Sequence, residues 1–309
     1  MANRIKEKYM AGKRYFDYPM LFLVIFLICF GLVMIYSTSS YKSTVTYGNS
    51  YHWLLRQAVA IVLGAVAMVV CCKLDYRIIK SEKFGNGCYW ASIVLLVLVL
   101  IIGAAKKGAV RWISIAGFQF QPSEVSKILV VIYLANRLSA NAHKIRTFKD
   151  SIVIVLPTVP IIALIVTQNL STALVVCSMI GVMLFVVSPK MKELMLTAGG
   201  GIILLFVYLL TANSYRNERV QIWLHPESHK KGFQTMQALY AIGSGGIFGK
   251  GLGQSMQKMG FIPESHNDMI FSIICEELGL FGAVCLILVF VALIFRMLLI
   301  ALNTEDLFG

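Results

Sequence analysis

The chain has 309 residues, a mean hydropathy of +0.76 and only 14% charged residues, whereas soluble domains carry about 25%. This composition excludes an ordinary soluble protein and is typical of a membrane protein. The formal net charge of +13 would suggest a nucleic acid partner in a soluble protein. Here the positive residues flank apolar segments, so we expect membrane lipids and no nucleic acid as partners.

Uncharged apolar runs predict an all-α fold, a polytopic transmembrane helix bundle, because a helical span needs about 20 apolar residues. A β-barrel is excluded, since long unbroken apolar runs are not its alternating pattern. The whole chain, 1–309, is interpreted as a single integral membrane domain. Counting along the chain predicts about eight spans, near 18–37, 54–72, 88–105, 122–138, 151–168, 171–188, 194–212 and 268–300.

The distribution of lysine and arginine predicts the orientation of these spans. The N-terminus and the loops at 73–83, 137–149 and 190–192 are rich in both residues and fall on one side. By the positive-inside rule this side is cytoplasmic, so we expect a multi-pass membrane protein with a cytoplasmic N-terminus. The first outer loop agrees, because it carries only Lys42 as a cation.

A long outer loop at 213–267 carries cations against this rule, and it also contains GSGG at 243–246 and GKGLG at 249–253. One interpretation is an anion site, in which permissive glycine backbone beside lysine wraps a phosphate with its N–H groups. The other is ordinary solvated charge with glycines at turns. The pattern alone favours neither.

Ionisable residues within spans are costly, so each is a candidate for function. Glu124 and Lys127 open the fourth span three residues apart, and we expect them to form an ion pair on one helix face. Whether that pair is structural or binds substrate stays open at this point.

The last span is too long for one straight crossing, since 33 residues at about 1.5 Å each reach roughly 50 Å. Gly279 and Gly282 are the predicted break points. Asp268 then lies at the outer edge, either as a functional carboxylate or as a helix-start residue favoured by the helix dipole. His266 is interpreted as a polar loop residue, because no histidine or cysteine spacing typical of a metal site occurs.

Several motifs, in order and with matching spacing, resemble the family of shape, elongation, division and sporulation proteins (SEDS: FtsW, RodA and SpoVE). The resemblance runs from about residue 18 to residue 309. The matching segments are GAVRWI (108–113), FQPSEVSK (120–127), YR (215–216) with Arg219, AIGSGG (241–246), GLGQS (251–255) and PESHNDMIF (263–271). The family has ten spans, so the resemblance implies two further helices that this sequence does not contain.

The resemblance implies a peptidoglycan glycosyltransferase that polymerises lipid II into glycan strands at the outer membrane face during division, elongation or sporulation. Its implied partner is a class B penicillin-binding protein, a transpeptidase that crosslinks the strands, together with divisome or elongasome proteins. The alternatives are a flippase for the lipid-linked precursor and a catalytically silent scaffold for the transpeptidase. The unexplained polar residues gather at the outer face, which favours the enzyme over the flippase.

Site residues follow from the matched positions. Asp268 matches the essential loop aspartate of the family and is predicted to be the general base. The residues predicted to bind substrate are Arg111, Glu124, Lys127, Arg216, Arg219, Lys250, Gln254, Ser255 and His266. No cofactor is evident; a divalent cation could help to neutralise the diphosphate, although the sequence shows no dedicated cage. The family's Pro-Asp-Leu-Gly-Thr reads QNLST at 168–172 here, so this segment is given no catalytic role.

Overall fold

The structure is a computed structural model that describes residues 16–106, 109–115, 118–145, 147–187, 221–229 and 232–309. It divides into two compact units. The first unit comprises Met1–Val70 with Ala212–Thr304, and the second comprises Cys71–Thr211 with Glu305–Gly309. The predicted single integral domain stays a prediction.

The all-α prediction is confirmed. Most described residues lie in helices, which in chain order are α1 (Tyr18–Tyr47), α2 (His52–Lys73), α3 (Glu82–Ile102), α4 (Pro122–Asn141), α5 (Phe148–Val155), α6 (Val159–Gln168), α7 (Leu170–Val187), α8 (Phe233–Ser244) and α9 (Ile270–Leu302).

Six helical segments within the described ranges are long and apolar enough to cross a membrane. They correspond to the predicted spans near 18–37, 54–72, 88–105, 151–168, 171–188 and 268–300. The predicted span near 122–138 does form a helix, α4, but its polar residues keep it outside those six. The predicted span near 194–212 lies outside the described residues.

A small antiparallel sheet, which the sequence did not predict, lies between α3 and α4. Its strands are β1 (Ala104–Lys106), β2 (Ala109–Ile115) and β3 (Phe118–Phe120), in the order β1-β2-β3. Ala104 pairs with Trp112, and Ile113 pairs with Phe120. Sequence patterns do not indicate these strands, because β1 and β3 have three residues each and β2 does not alternate between apolar and polar residues.

Helix ends follow local chemistry. Asp17 caps α1 by accepting a hydrogen bond from the Met20 N–H at 2.9 Å, and Gly48 ends the helix in the left-handed conformation (φ 70°). Thr147 and Asp150 form a capping box before α5. Pro157 and Pro160 account for the turn of 3-10 helix between α5 and α6, because proline has no N–H to donate.

In the first unit α1 and α9 pack against each other in opposite directions. Near the start of α1, Asp17 forms an ion pair with Arg296 from the last third of α9. About two thirds of the way along α1, Ser37 binds Glu277 from the first turns of α9. Two well-separated contacts thus fix the register of this helix pair.

In the long segment predicted at 213–267, the described part contains α8 and then a series of tight turns that lead to α9. Ala241 from α8, Ile262 from the turns and Ile273 from α9 form a small buried apolar cluster. The turns are therefore packed against helices, which gives the candidate site a fixed support.

Candidate active site

The candidate site is built around a break in α9. Gly279 has φ 68° and ψ −171°, which is not helical, while the helix continues on both sides. The prediction of a break at Gly279 is confirmed, and the break is not at Gly282. A break of this kind leaves backbone carbonyl and N–H groups without helical partners, and such groups need partners when they are buried.

The glycine-rich turn at 245–251 supplies those partners. The N–H groups of Lys250 and Gly251 donate to the carbonyls of Glu276 and Glu277, each at 2.9 Å. In return, the carbonyls of 246 and 247 accept hydrogen bonds from the N–H groups of 280 and 281 at 2.9 and 3.0 Å. The turn and the broken helix thus satisfy each other reciprocally.

Glycine is required where the two backbones meet. A Cβ atom on Gly245 would lie 2.0 Å from the Cys275 carbonyl oxygen, and one on Gly249 would lie 2.2 Å from the Glu277 carbonyl oxygen. Gly249 also has φ 78°, a left-handed conformation that side chains disfavour. Close approach of the chains therefore explains the glycine pattern.

This arrangement corrects one sequence-based interpretation. The N–H groups of 249, 250 and 251 all donate to backbone carbonyls, so they are not available to wrap a phosphate. The alternative interpretation, glycines at a turn in contact with another segment, describes this part of the loop.

Glu276 is fully buried and accepts hydrogen bonds from several groups of the loop. Lys250 Nζ lies 2.6 Å from its Oε1 atom, and the Ser255 hydroxyl donates to its Oε2 atom. The backbone N–H groups of 256 and 257 add contacts at 3.3 and 3.4 Å. Lys250 and Ser255, both predicted to bind substrate, therefore bind a protein carboxylate in this structure.

Glu277 is also fully buried, and it joins three segments. Lys258 Nζ lies 2.8 Å from its Oε1 atom, and the Ser37 hydroxyl lies 2.7 and 2.8 Å from its two oxygens. Lys258 Nζ also donates to Ser37 Oγ at 3.1 Å, and its side chain is only 6% exposed. We call Ser37, Lys258 and Glu277 the outer triad, since they lie on the predicted outer side.

Asp268 lies in the turn just before α9, and its side chain is exposed. Met269 occupies the N-cap position of α9 without a side-chain hydrogen bond, so Asp268 does not cap the helix. Within the described ranges its carboxylate has no ion-pair or hydrogen-bond partner. It is thus an available carboxylate beside a densely bonded support.

His266, two residues before Asp268, is buried with its ring centroid 4.7 Å from that of Trp53. Neither ring nitrogen has a hydrogen-bond partner among the described residues. Burial lowers the pKa of the imidazole below its ordinary value, the charge of Lys42 lowers it further, and Glu264 opposes both effects. His266 is therefore neutral at pH 7 and packs as an aromatic ring.

The other predicted substrate residues of the outer segments are less informative. Gln254 is exposed and follows the glycine-rich turn. Arg111 lies in β2, but its side chain is outside what the structure describes. Arg216 and Arg219 lie outside the described residues.

Glu124 and Lys127 belong to the second unit, at the start of α4. The predicted ion pair is present, with Lys127 Nζ 2.7 Å from Glu124 Oε2. The side chain of Glu124 is 53% exposed and that of Lys127 is 21% exposed. The pair thus keeps partial access to solvent, unlike the outer triad. Its role in substrate binding stays a prediction.

No metal centre emerges in the part of the chain that the structure describes, where no group of three or more His, Cys, Asp and Glu side chains is placed to hold an ion. The divalent cation stays a prediction.

Sequence reasoning missed the outer triad. Two adjacent glutamates inside an apolar helix are a signal, because charge in a span is costly and needs a partner. The sequence does not reveal which loop lysine pairs with each glutamate.

Apolar helices of this number and length, with charged groups paired at their ends, define a multi-pass membrane protein. Residues 18–309 match the family model of the cell cycle proteins FtsW, RodA and SpoVE, and the chain belongs to this family.

Two relatives illustrate the similarity in sequence. One is the probable peptidoglycan glycosyltransferase FtsW of Geobacter metallireducens, 36% identical over 304 residues that cover 95% of this chain and 79% of the relative. The other is the stage V sporulation protein E of Bacillus subtilis, 34% identical over 303 residues that cover 95% of this chain and 81% of the relative.

Solved structures agree with this assignment. A chain from a peptidoglycan synthase complex that coordinates polymerization and crosslinking is 28% identical, with a TM-score of 0.75, covering 96% of this chain and 81% of that one. The rod shape determining protein RodA of Thermus thermophilus is 26% identical, with a TM-score of 0.66, covering 96% of this chain and 79% of RodA.

Proposed function

We propose that this protein is a peptidoglycan glycosyltransferase that polymerises lipid II into glycan strands at the outer face of the bacterial cytoplasmic membrane. Membership of the FtsW, RodA and SpoVE family and a relative named as a probable peptidoglycan glycosyltransferase support the reaction class. The distribution of lysine and arginine supports a cytoplasmic N-terminus, which puts the loop that carries Asp268 outside.

The observation that carries the proposal is the exposed carboxylate of Asp268, which has no partner among the described residues and follows a tightly bonded segment. In glycan extension a sugar hydroxyl attacks the anomeric carbon of a lipid-linked sugar. The new C–O bond forms as the bond to the lipid diphosphate breaks, and the hydroxyl proton must leave. A carboxylate without a bound cation can accept that proton, so Asp268 acts as the general base.

The departing diphosphate needs cations, because its negative charge grows as the bond breaks. Arg111, Arg216 and Arg219 are our candidates, since guanidinium groups bind phosphate oxygens in a bidentate manner. Lys250 was predicted to join them, but its ammonium group binds Glu276. We assign Lys250 to the support of the loop.

We also propose a class B penicillin-binding protein as the crosslinking partner, within the assemblies for division, elongation or sporulation. The similar chain from a synthase complex with coordinated polymerization and crosslinking supports such a pairing.

The test replaces Asp268 with Asn, which keeps the shape of the side chain and removes the base. Purified full-length protein is incubated with lipid II and the crosslinking partner, and glycan chains are resolved on gels. We expect the rate to fall by roughly 10²–10⁴-fold, the usual contribution of a general base. Thermal stability should not change, because the carboxylate forms no contact among the described residues.

Asp306→Asn is the matched control. Asp306 is a partly exposed aspartate far from Asp268 in the sequence, paired with Lys80 at 2.8 Å in the second unit, and its loss should leave the rate of chain formation unchanged. Chain formation by Asp268→Asn at the wild-type rate would refute the assignment of the base. Transfer of labelled lipid II between bilayer leaflets by the wild-type protein, without any glycan product, would favour the flippase instead.

A further inference from the structure

The segment from the glycine-rich turn to α9, residues 255–268, is attached to the helices of the first unit at several points. We infer that Lys258 and Glu277 of the outer triad are positioning residues, which hold this segment against α1 so that Asp268 keeps its catalytic position. The inference rests on the proposed function, since it assigns Asp268 the role of base.

The Asp268 carboxylate makes no contact of its own within the described ranges, so its position depends on the neighbouring backbone. That backbone is a series of turns, with the N–H of 262 bonded to the carbonyl of 257 at 3.1 Å and the N–H of 267 bonded to the carbonyl of 264 at 3.0 Å. Short turns of this kind transmit a displacement at Lys258 to Asp268.

Side chains at 258, 265 and 266 attach this segment to neighbouring helices. Lys258 binds Ser37 of α1 and Glu277 of α9. Ser265 donates to the Thr38 carbonyl at 3.4 Å, and His266 packs on Trp53. The Lys258 contact is a short, buried, charge-assisted hydrogen bond, whereas the Ser265 contact is long and the His266 contact has no hydrogen bond. Of these three residues, Lys258 therefore makes the strongest attachment.

The attachment at the outer triad is made by charged groups. An apolar pair of similar volume could fill the same space, and replacing a buried ion pair in this way is often neutral for stability. Hydrogen bonds, however, have fixed lengths and directions, which apolar contacts lack. Ser37 bonds to both oxygens of Glu277 and also accepts from Lys258, so the outer triad fixes three segments relative to one another.

The neighbouring pair, Lys250 and Glu276, does something different. The side chain of Lys250 is 35% exposed, and it joins Glu276 of α9 to the glycine-rich turn, which backbone hydrogen bonds already hold on the break in α9. Among the described residues, none of its hydrogen bonds reaches α1. The attachment to α1 thus consists of the outer triad and the longer Ser265 contact.

The experiment compares a single variant with a double variant. Glu277→Gln leaves the buried ammonium group of Lys258 without a counter-charge, so we expect both a lower melting temperature and a lower kcat. The double variant Lys258→Met with Glu277→Gln removes both charges and keeps the volumes. It should recover most of the melting temperature, because no unpaired charge remains.

The kcat of the double variant decides the question. If the triad positions Asp268, kcat stays about 10- to 100-fold below wild type while KM changes by less than about twofold, because the directional hydrogen bonds of the Lys258 ammonium group are still missing. If kcat recovers together with the melting temperature, the pair is merely structural and the inference is wrong. Glu305→Gln, an exposed glutamate near the end of the chain, is the control and should leave all three quantities unchanged.

A second measurement does not depend on activity. Hydrogen–deuterium exchange of the amides at 259–268 should be at least about 10-fold faster in both triad variants and unchanged in Glu305→Gln. Exchange at the wild-type rate in the double variant would overturn the inference even if the protein did not polymerise lipid II. Failure of wild-type polymerisation with the expected exchange pattern would instead refute the proposed function and leave the attachment demonstrated.

Discussion

The two compact units of this chain differ in the interactions that stabilise the interior of each. The second unit has a continuous buried apolar cluster, which consists of Leu96, Val130, Tyr133, Leu134, Leu138, Ile145, Ile154, Ile161, Ile165, Ala173, Val176, Ile180 and Leu184. The first unit has a buried apolar cluster of only three residues within the described ranges, but it buries Lys258, Glu276 and Glu277.

This difference has a physical reason. In a membrane, lipid tails are as apolar as leucine, so apolar packing alone distinguishes poorly between the protein interior and the lipid. Hydrogen-bonded charges are costly in lipid and must stay with their partners. The unit that carries the candidate base thus relies on hydrogen-bonded ion pairs, which define the positions of their partners more narrowly than apolar contacts do.

The largest expected effect tests the apolar cluster of the second unit. Leu134→Ala removes a fully buried side chain from the cluster of the second unit, and we expect the free energy of unfolding to fall by about 2–5 kcal/mol. Equilibrium unfolding of the purified protein in mixed detergents measures the change. Ile128→Ala in the same helix is the control, because Ile128 is exposed and its loss leaves no cavity. Equal losses for the two variants would contradict a packed core in this unit.

The next effect tests the backbone contacts of the first unit. Gly245→Ala would place a methyl group 2.0 Å from the Cys275 carbonyl oxygen, and we expect a loss of about 1–3 kcal/mol as the chains separate. Gly243→Ala, two residues earlier in α8, meets nothing within 4 Å and should be neutral or stabilising by up to about 1 kcal/mol. The same unfolding measurement compares them. A neutral Gly245→Ala would show that the turn does not lie on the break.

The smallest effect sharpens the comparison between the charged residues of the two units. Glu124 and Lys127 are partly exposed, so a double-mutant cycle on unfolding should give a coupling free energy of only about 0.2–0.5 kcal/mol. The single and double changes to Ala supply the cycle. A coupling above about 2 kcal/mol would instead place this pair in a desolvated environment like that of the outer triad.

Much of the fold could be predicted from the sequence, because span length and apolar composition define transmembrane helices. The break in α9 was also predictable, since a helix of that length cannot cross a membrane straight and Gly279 offers a place to bend. The sheet that contains Arg111 was not predictable, because β1 and β3 have only three residues each and the sequence of β2, AVRWISI, does not alternate between apolar and polar residues.

The candidate site was predictable only in part. The resemblance points to Asp268, which the structure places in the turn just before α9; its role as the base and its position on the outer side stay predictions. The GKGLG pattern at 249–253 was ambiguous, because glycine backbone can approach a phosphate or another chain equally well. Helical spacing gives the angle between residues on one helix, but it does not tell that Lys250 binds Glu276 while Lys258 binds Glu277.

The two contacts between α1 and α9, at Asp17 and at Ser37, are separated by a fixed length of helix. Between Gly279 and Arg296, α9 is about 26 Å long, and between Asp17 and Ser37, α1 covers about 30 Å. These lengths match the hydrocarbon thickness of a typical bilayer, about 30 Å. A thicker bilayer would draw Asp17 and Arg296 or the outer triad into hydrocarbon, unless the lipids thinned around the protein. We therefore expect membrane thickness to act on the outer triad and, through Lys258, on the segment that carries Asp268.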